Sequence, residues 1–268
     1  MAKLPHTIPA TVPALPRAVE HNRHLPATAA FHWLALGWRD LWIHPLPSLL
    51  YGVGVALLSV LVIAAMLAFG WANILFPALS GFLVVGPLLA TGLYEKSRRL
   101  EAGEDVTLWR MLFPRRGGGT HLLFVGAILL TLMLLWMRAA VLLYALFFGW
   151  RPFPGLDHIV AMLFGTPLGL TMLITGTAIG GLFAAFAFAI SAFSIPMMLD
   201  RRLDAFSAMA MSMSLVWNNL PATLLWGAIV LALTLIGLGT ALIGLIVIFP
   251  LLGHATWHAY AAVRDEPT

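Results

Sequence analysis

Two histidines four residues apart, His254 and His258 in the stretch GHATWHAY, have the spacing of a metal-binding pair. On a helix, residues i and i+4 face the same way, so both imidazoles would point to one side. A histidine within an apolar helix can also be an axial haem ligand. Two histidines make only half of a metal site, and no glutamate stands between them as in a zinc protease. A hydrogen-bonding role near a helix end is the alternative, and we expect neither a metal nor another cofactor.

Arg138, in WMRAAVLLY, lies in one of the most apolar stretches of the chain. Asp157, in RPFPGLDHIV, is the acidic residue expected on the same side of the membrane. The two residues could form a buried polar pair on the path of a solute. Alternatively, Arg138 anchors its helix at the membrane interface beside Trp136, with its guanidinium extended towards the headgroups. The sequence leaves both interpretations open.

Small residues and prolines recur within the apolar stretches. A stripe of small residues on the predicted fourth helix would let a neighbouring backbone approach closely: Gly165, Gly169, Gly176, Gly180 and Ala184. Prolines at matched depths free backbone carbonyls that could line a cavity, or bend the helices and shape the bundle: Pro87, Pro196 and Pro250. The chain contains no cysteine, which excludes disulfides and thiolate chemistry. We find no catalytic set of residues and expect no enzyme.

The composition is that of a membrane protein. Hydrophobic residues make up 61% of the 268 residues and charged residues only 10%, and the mean hydropathy of +0.94 is far above that of soluble globular proteins. No charged side chain lies between Asp40 and Glu95, a run long enough for two membrane crossings. The net charge of +4 comes from basic clusters beside apolar spans, so we expect no nucleic-acid partner.

Apolar length predicts an all-α, polytopic fold with six transmembrane helices. The predicted spans are Ser48–Gly70, Ile74–Tyr94, Leu122–Phe148, Leu170–Ile195, Ala222–Ile236 and Gly239–Val263. None of them contains a carboxylate. Residues 1–27 are rich in proline and predict a disordered tail, which leaves residues 28–264 as the membrane domain.

The basic residues predict the orientation of the chain. With six spans, all but two of the 15 lysines and arginines fall on one side of the membrane, the exceptions being Arg138 and Arg151. The positive-inside rule places that side, and with it both termini, in the cytoplasm. We therefore predict a multi-pass protein of a bacterial inner membrane.

Self-comparison predicts three two-helix repeats, at about 28–102, 103–205 and 206–264. The stretch GFLVVGPLLA at 81–90 aligns with GLIVIFPLLG at 244–253, and RRLEA at 98–102 with RRLDA at 201–205. Each unit would begin with an amphipathic helix on the cytoplasmic membrane surface, or packed on the ends of the bundle. These helices are predicted at Thr28–Ile43, Asp105–Phe113 and Ala205–Trp217.

Three segments, LGWRDLWIHPLPSLLYG, GPLLATGLYEKSRRLEAGE and GLIVIFPLLGHATWHAY, resemble the bacterial family of integral membrane proteins known as domain of unknown function 2189. The resemblance extends from about residue 30 to residue 264. It implies an inner-membrane protein of unassigned biochemical role and assigns no functional residue. Some relatives carry the label of a cytochrome c oxidase subunit, but this chain lacks the facing histidines that a catalytic oxidase subunit needs for its haems and copper.

The sequence is compatible with three functions. A non-enzymatic accessory or organising membrane protein, in contact with lipid and with another membrane protein or a second copy, is favoured by the small-residue stripe and the basic loops. A carrier or pore for a small solute or anion is suggested by Arg138 and the matched prolines. A haem-binding or accessory subunit of a respiratory oxidase is the third possibility and depends on His254 and His258.

Overall fold

The computed structural model describes residues 21–114, 119–149, 153–201 and 203–264, and within these ranges the regular structure is entirely helical. In chain order the α-helices are α1 Ala29–Trp42, α2 Pro45–Ala68, α3 Leu75–Leu89, α4 Thr91–Glu101, α5 Leu108–Leu112, α6 Gly119–Phe148, α7 Leu156–Gly165, α8 Pro167–Ser191, α9 Ser194–Asp200, α10 Ala205–Asn218, α11 Leu220–Gly239 and α12 Leu245–Val263. A short 3₁₀ turn, Ala72–Ile74, leads into α3.

Among the described residues, six helical segments are long and apolar enough to cross a membrane, which confirms the predicted number of spans. They are α2, α3 with α4, α6, α8 with α9, α11 and α12. Two of them continue further than their apolar residues predict: the second reaches Glu101 and the fourth reaches Asp200. The second helix therefore continues beyond Tyr94, the predicted end of its span, and the charged residues that follow are buried in the protein.

The last helix, α12, lies at the centre of the molecule and packs against α1, α2, α4 and α11. Gly52 on α2 permits one of these contacts, since a Cβ at this position would lie 2.2 Å from the carbonyl oxygen of Ile246. Pro250 has no N–H with which to bond that carbonyl, four residues before it. The carbonyl that the proline leaves free therefore faces the bare backbone of α2.

The short helices α1, α4, α5, α9 and α10 gather with the C-terminal half of α12 at one end of the bundle, which we call the basic end. Helix α1 has two faces there. Its inner face packs on α12 through Ala30, Trp33, Gly37 and Leu41, whereas Phe31, Trp38 and Trp42 are about half exposed. Leu41 is fully buried, whereas these aromatic residues face outward.

The helices follow one another in the order that the predicted repeat requires. A short helix precedes a long outgoing helix and a returning helix in each case: α1, α2 and α3/α4; α5, α6 and α8/α9; α10, α11 and α12. The second group contains an additional helix, α7, before α8. The internal repeat and the placement of the short helices on a membrane surface stay predictions.

The small-residue stripe does not form one packing face. Gly165 ends α7 and Gly169 belongs to α8, so the predicted single helix is interrupted at Thr166. A Cβ at Gly169 would collide with the backbone of α7 and one at Gly180 with the ring of Trp136, but a Cβ at Gly165 or Gly176 would meet open space. Ala184 is partly exposed. These residues therefore serve different contacts.

The three prolines also differ. Pro87 lies inside α3, which ends two residues later, and Pro250 lies inside an uninterrupted α12. Pro196 is in the first turn of α9, where a proline leaves no carbonyl of its own helix without a partner. Pro196 thus differs in its position from Pro87 and Pro250, and Pro87 adjoins a cavity.

Candidate functional site

Six polar side chains from four helices meet inside the protein at the basic end. They are Asp40 of α1, Ser48 of α2, Lys96 and Ser97 of α4, and His254 and His258 of α12. All but His258 are buried, and Lys96, Ser48, Ser97 and His254 are completely inaccessible to solvent. We call this group the Lys96–Asp40 network. Burying charged groups is unfavourable unless they are paired and hydrogen-bonded, so the partners of each side chain decide what the network can do.

The ammonium of Lys96 begins the network. Its Nζ donates hydrogen bonds to Oγ of Ser48 at 2.7 Å and to the carbonyl oxygen of His44 at 3.0 Å. Oγ of Ser48 lies 2.9 Å from Nε2 of His254. The side chain of Ser48 therefore connects a buried ammonium to a buried imidazole.

The carboxylate of Asp40 ends the network. Nδ1 of His254 lies 2.9 Å from Oγ of Ser97, and the Ser97 hydroxyl in turn stabilises the charge of Asp40. Oδ2 of Asp40 also lies 2.8 Å from Nε2 of His258, whose side chain is 13% exposed. Asp40 and His258 thus form the side of the network nearest to solvent.

The hydrogen-bond directions assign the tautomer of His254. A hydroxyl has one proton; when that of Ser97 is turned towards Asp40, whose pKa it lowers, the oxygen of Ser97 accepts the proton on Nδ1 of His254. Nε2 then keeps its lone pair and accepts from Ser48, whose oxygen accepts from Lys96. All donors consequently point from the ammonium to the carboxylate, an arrangement in which hydrogen bonds polarise and strengthen one another.

The electrostatic surroundings keep Asp40 ionised. Burial raises the pKa of its carboxyl, but the hydrogen bond and charge of His258 and the hydroxyl of Ser97 outweigh burial and leave the pKa below its usual range. Arg39, 3.4 Å from Asp40, is well exposed and adds little. The network therefore holds a carboxylate at neutral pH.

The connection between α1 and α2 positions the carbonyl that binds Lys96. His44 adopts a left-handed backbone conformation, with φ of 52° and ψ of 71°. This conformation is unfavourable for a residue with a Cβ, and the following Pro45, at the start of α2, fixes the direction in which the chain leaves the turn. The hydrogen bond from Lys96 offsets part of this cost.

A second buried cluster lies next to the network on α4. The carboxylate of Glu95, which is fully buried, accepts two hydrogen bonds from Arg98, both of 2.9 Å, and lies 2.7 Å from Nε of Arg99. Glu104 bridges the same two guanidiniums from the other side. The two arginines that the sequence placed in a cytoplasmic loop are therefore part of the protein core.

The end of α12 is held by a third set of polar contacts. Trp257 donates to Glu101 at 2.9 Å, and Tyr260 donates to Asp200 at 2.8 Å. Arg264 forms ion pairs with both of these carboxylates. Helices α4 and α9 thereby fix the C-terminal half of α12, which carries His254 and His258.

The structure gives both predicted histidines hydrogen-bond partners. Both ring nitrogens of His254 are used by serines, and Nε2 of His258 is used by Asp40. A metal could bind His254 only by displacing a serine, and no group of three metal-binding side chains occurs among the described residues. The geometry is that of a hydrogen-bonding residue.

We expect the purified protein to show no Soret band. The two nitrogens of His254 are hydrogen-bonded, so no lone pair of this imidazole is free for an iron atom. An absorption spectrum of the detergent-purified protein, before and after addition of haem, measures this directly. A Soret band that His254→Ala abolishes would contradict the assignment.

The structure places Arg138 and Asp157 apart from the network. Both side chains are exposed, on α6 and in the first turn of α7, and within the described residues neither forms an ion pair or a hydrogen bond. Trp136, the expected interfacial neighbour, instead donates to Ser80 of α3 at 2.8 Å. The polar pair is therefore not formed in this structure.

Substituting Arg138 should change stability little. An exposed arginine that extends towards headgroups can be exchanged for lysine, because both side chains can do so, and its removal leaves no buried charge. We expect Arg138→Lys and Arg138→Ala to leave the melting temperature in lipid nanodiscs nearly unchanged. A large fall in melting temperature in both variants, partly reversed by the additional substitution Asp157→Ala, would contradict this expectation and support the buried pair.

Comparison with known proteins gives one match. The family model described as predicted integral membrane protein (DUF2189) matches residues 75–200, which include α3, α4, α6, α8 and α9. No curated protein and no solved structure matches the chain. Of the six residues of the network, Lys96 and Ser97 lie within the matched range.

Proposed function

We propose, for this member of the DUF2189 family of predicted integral membrane proteins, a role as a membrane carrier of a small solute in which the Lys96–Asp40 network passes a proton. The observation that carries the proposal is the chain of hydrogen bonds that runs from the buried ammonium of Lys96 through Ser48 and His254 to Ser97, close to the buried carboxylate of Asp40. Ionisable residues buried in membrane proteins frequently form proton relays.

The proton transfer follows from the tautomer of His254. Lys96 gives a proton to Ser48, Ser48 gives its own to Nε2 of His254, Nδ1 gives its proton to Ser97, and Ser97 protonates Asp40. The product is a neutral amine, a neutral carboxylic acid and the opposite tautomer of His254. Before the next transfer, Asp40 must release its proton to solvent beside His258, the amine of Lys96 must take up a new proton, and His254 must return to its first tautomer.

Proton movement into liposomes tests this proposal. The protein is reconstituted with a pH-sensitive dye inside, and a potassium gradient with valinomycin makes the interior negative. We expect faster acidification than in protein-free liposomes, and a large loss of this rate in Ser97→Ala, which removes one link without removing a charge. Ser59→Ala is the matched control, because Ser59 bonds only its own helix, at Val55.

The control measurements make the result decisive. Melting temperatures of the variants show whether each protein is folded. A folded wild-type protein that acidifies liposomes no faster than lipid alone, with and without a panel of small solutes and anions, would contradict a carrier function.

A second candidate is an accessory or organising membrane protein. It is favoured by the complete hydrogen bonding of the network, which ties four helices together as a structural clamp. It is also favoured by the exposed aromatic side chains of α5 and α10, with Trp109 70% and Trp217 74% exposed. Cross-linking in the membrane, followed by identification of a partner or a second copy, would support this function if proton movement is absent.

A further inference from the structure

A small, partly open cavity lies where α3, α4, α8, α11 and α12 meet. Its volume is about 80 Å³. A buried water molecule needs about 10–15 Å³ of cavity volume measured in this way, so the cavity has room for several water molecules. The lining, all within the described part of the chain, carries no charge and combines the rings of Phe82, Phe188, Trp226 and Phe249 with the hydroxyls of Tyr94, Thr234 and Thr256.

Two of these hydroxyls have no partner in the protein. Tyr94 is 2% exposed and Thr234 is 4% exposed, and within the described residues neither makes a hydrogen bond. Other buried hydroxyls behave differently: Thr256 donates to Leu252 at 2.8 Å, and Ser191 donates to Ala187 at 2.6 Å. Because polar groups inside proteins are nearly always hydrogen-bonded, these two hydroxyls are available to bond a molecule that enters the cavity.

A backbone acceptor adjoins the same space. Pro87 lacks the N–H that would bond the carbonyl of Leu83 four residues earlier, and both residues line the cavity. Thr256 keeps an oxygen that can accept a further hydrogen bond, since its proton is used by Leu252. The cavity therefore offers two donors and several acceptors, and no charge.

We propose that this cavity is a binding site for water or for a small uncharged solute that both donates and accepts hydrogen bonds. Its main contacts are the hydroxyls of Tyr94 and Thr234. An ion is disfavoured because no opposite charge lines the site and its desolvation would be uncompensated. The site is separate from the Lys96–Asp40 network, and only its use by a transported solute rests on the proposed carrier function.

The sign of a stability change tests whether the cavity is occupied. Thr234→Val keeps the shape of the side chain, and Tyr94→Phe removes only the hydroxyl. If a bound molecule joins the two hydroxyls, each variant loses its hydrogen bond and we expect the melting temperature to fall by about 2–4 °C. The double variant should then fall by less than the sum of the two, because both substitutions remove contacts with the same molecule.

A dry cavity would give the opposite result. Removing an unpartnered buried hydroxyl should raise the melting temperature, and a dry apolar space should bind xenon, visible by xenon-129 NMR. Either finding, or unchanged melting temperatures in both variants, would overturn the proposal. Thr131→Val is the matched control, because Thr131 is exposed and bonds only Ala127 of its own helix.

A transport measurement distinguishes water from a solute. Urea is the probe, as a small uncharged molecule with donors and acceptors, and liposome swelling in a urea gradient is followed by light scattering. Faster swelling with wild-type protein than with Thr234→Val assigns the site to a solute of this class. Equal swelling with lowered melting temperatures assigns it to water, and neither result depends on proton movement through the network.

Discussion

Asp40→Asn is expected to destabilise the protein by about 3–5 kcal/mol. The substitution keeps the shape of the side chain but removes the buried carboxylate that His258 contacts and whose charge acts on the buried ammonium of Lys96. The double variant Lys96→Met with Asp40→Asn should recover part of the loss, since neither charge is then left without the other. Unfolding of the protein in mixed micelles with increasing denaturant measures the free energies.

Arg39→Gln is the matched control for this cycle. Arg39 also lies near Asp40, at 3.4 Å, but its side chain is 62% exposed. Exposed ion pairs contribute at most about 1 kcal/mol. If Arg39→Gln and Asp40→Asn lowered the free energy of unfolding equally, the contribution of Asp40 to stability would not come from the buried network.

The same carboxylate predicts how stability depends on pH. Because the pKa of Asp40 in the folded protein is below its ordinary value of about 3.9, its contribution is fully present above that value. The contribution is lost as the pH falls through the folded pKa, where the carboxylate takes up a proton. We expect acid unfolding below about pH 4 to be less steep in Asp40→Asn.

Glu95→Gln should have an effect of similar size, about 3–5 kcal/mol, because the carboxylate of Glu95 faces two buried or nearly buried guanidiniums. Glu104→Gln is the control, since Glu104 contacts the same arginines but its side chain is 35% exposed. We expect Glu104→Gln to cost about 1 kcal/mol or less. Equal losses in the two variants, measured by the same denaturant unfolding, would contradict the special position of Glu95.

The sequence predicts the helices of this protein better than its polar core. Apolar length indicates the six spans, and a mixed pattern of aromatic and polar residues indicates α1, α5 and α10, because both signals are local. The network is not local: Asp40, Lys96 and His254 lie on three helices far apart in the chain. The three segments that resemble the DUF2189 family contain all six of its residues, but nothing in them says that they meet.

Local hydropathy indicates the wrong burial for several charged residues, and the reason is physical. Glu95 and Lys96 follow directly after an apolar run, which is where the cytoplasmic loop of a membrane protein normally begins. In the structure the helix continues, and both side chains are buried at the basic end. Arg138, by contrast, lies within an apolar run and is exposed. For these residues, local hydropathy indicated the reverse of their burial.

Nitrogen-15 NMR of the histidine side chains in lipid bilayers measures the Lys96–Asp40 network most directly. We predict that His254, identified by the signals that disappear in His254→Gln, is a neutral imidazole with its proton on Nδ1 and an unprotonated Nε2. Ser97→Ala should shift the signal of Nδ1 more than that of Nε2, since Ser97 contacts Nδ1. A His254 with both nitrogens protonated, or with the proton on Nε2, would contradict the directed network between Lys96 and Asp40.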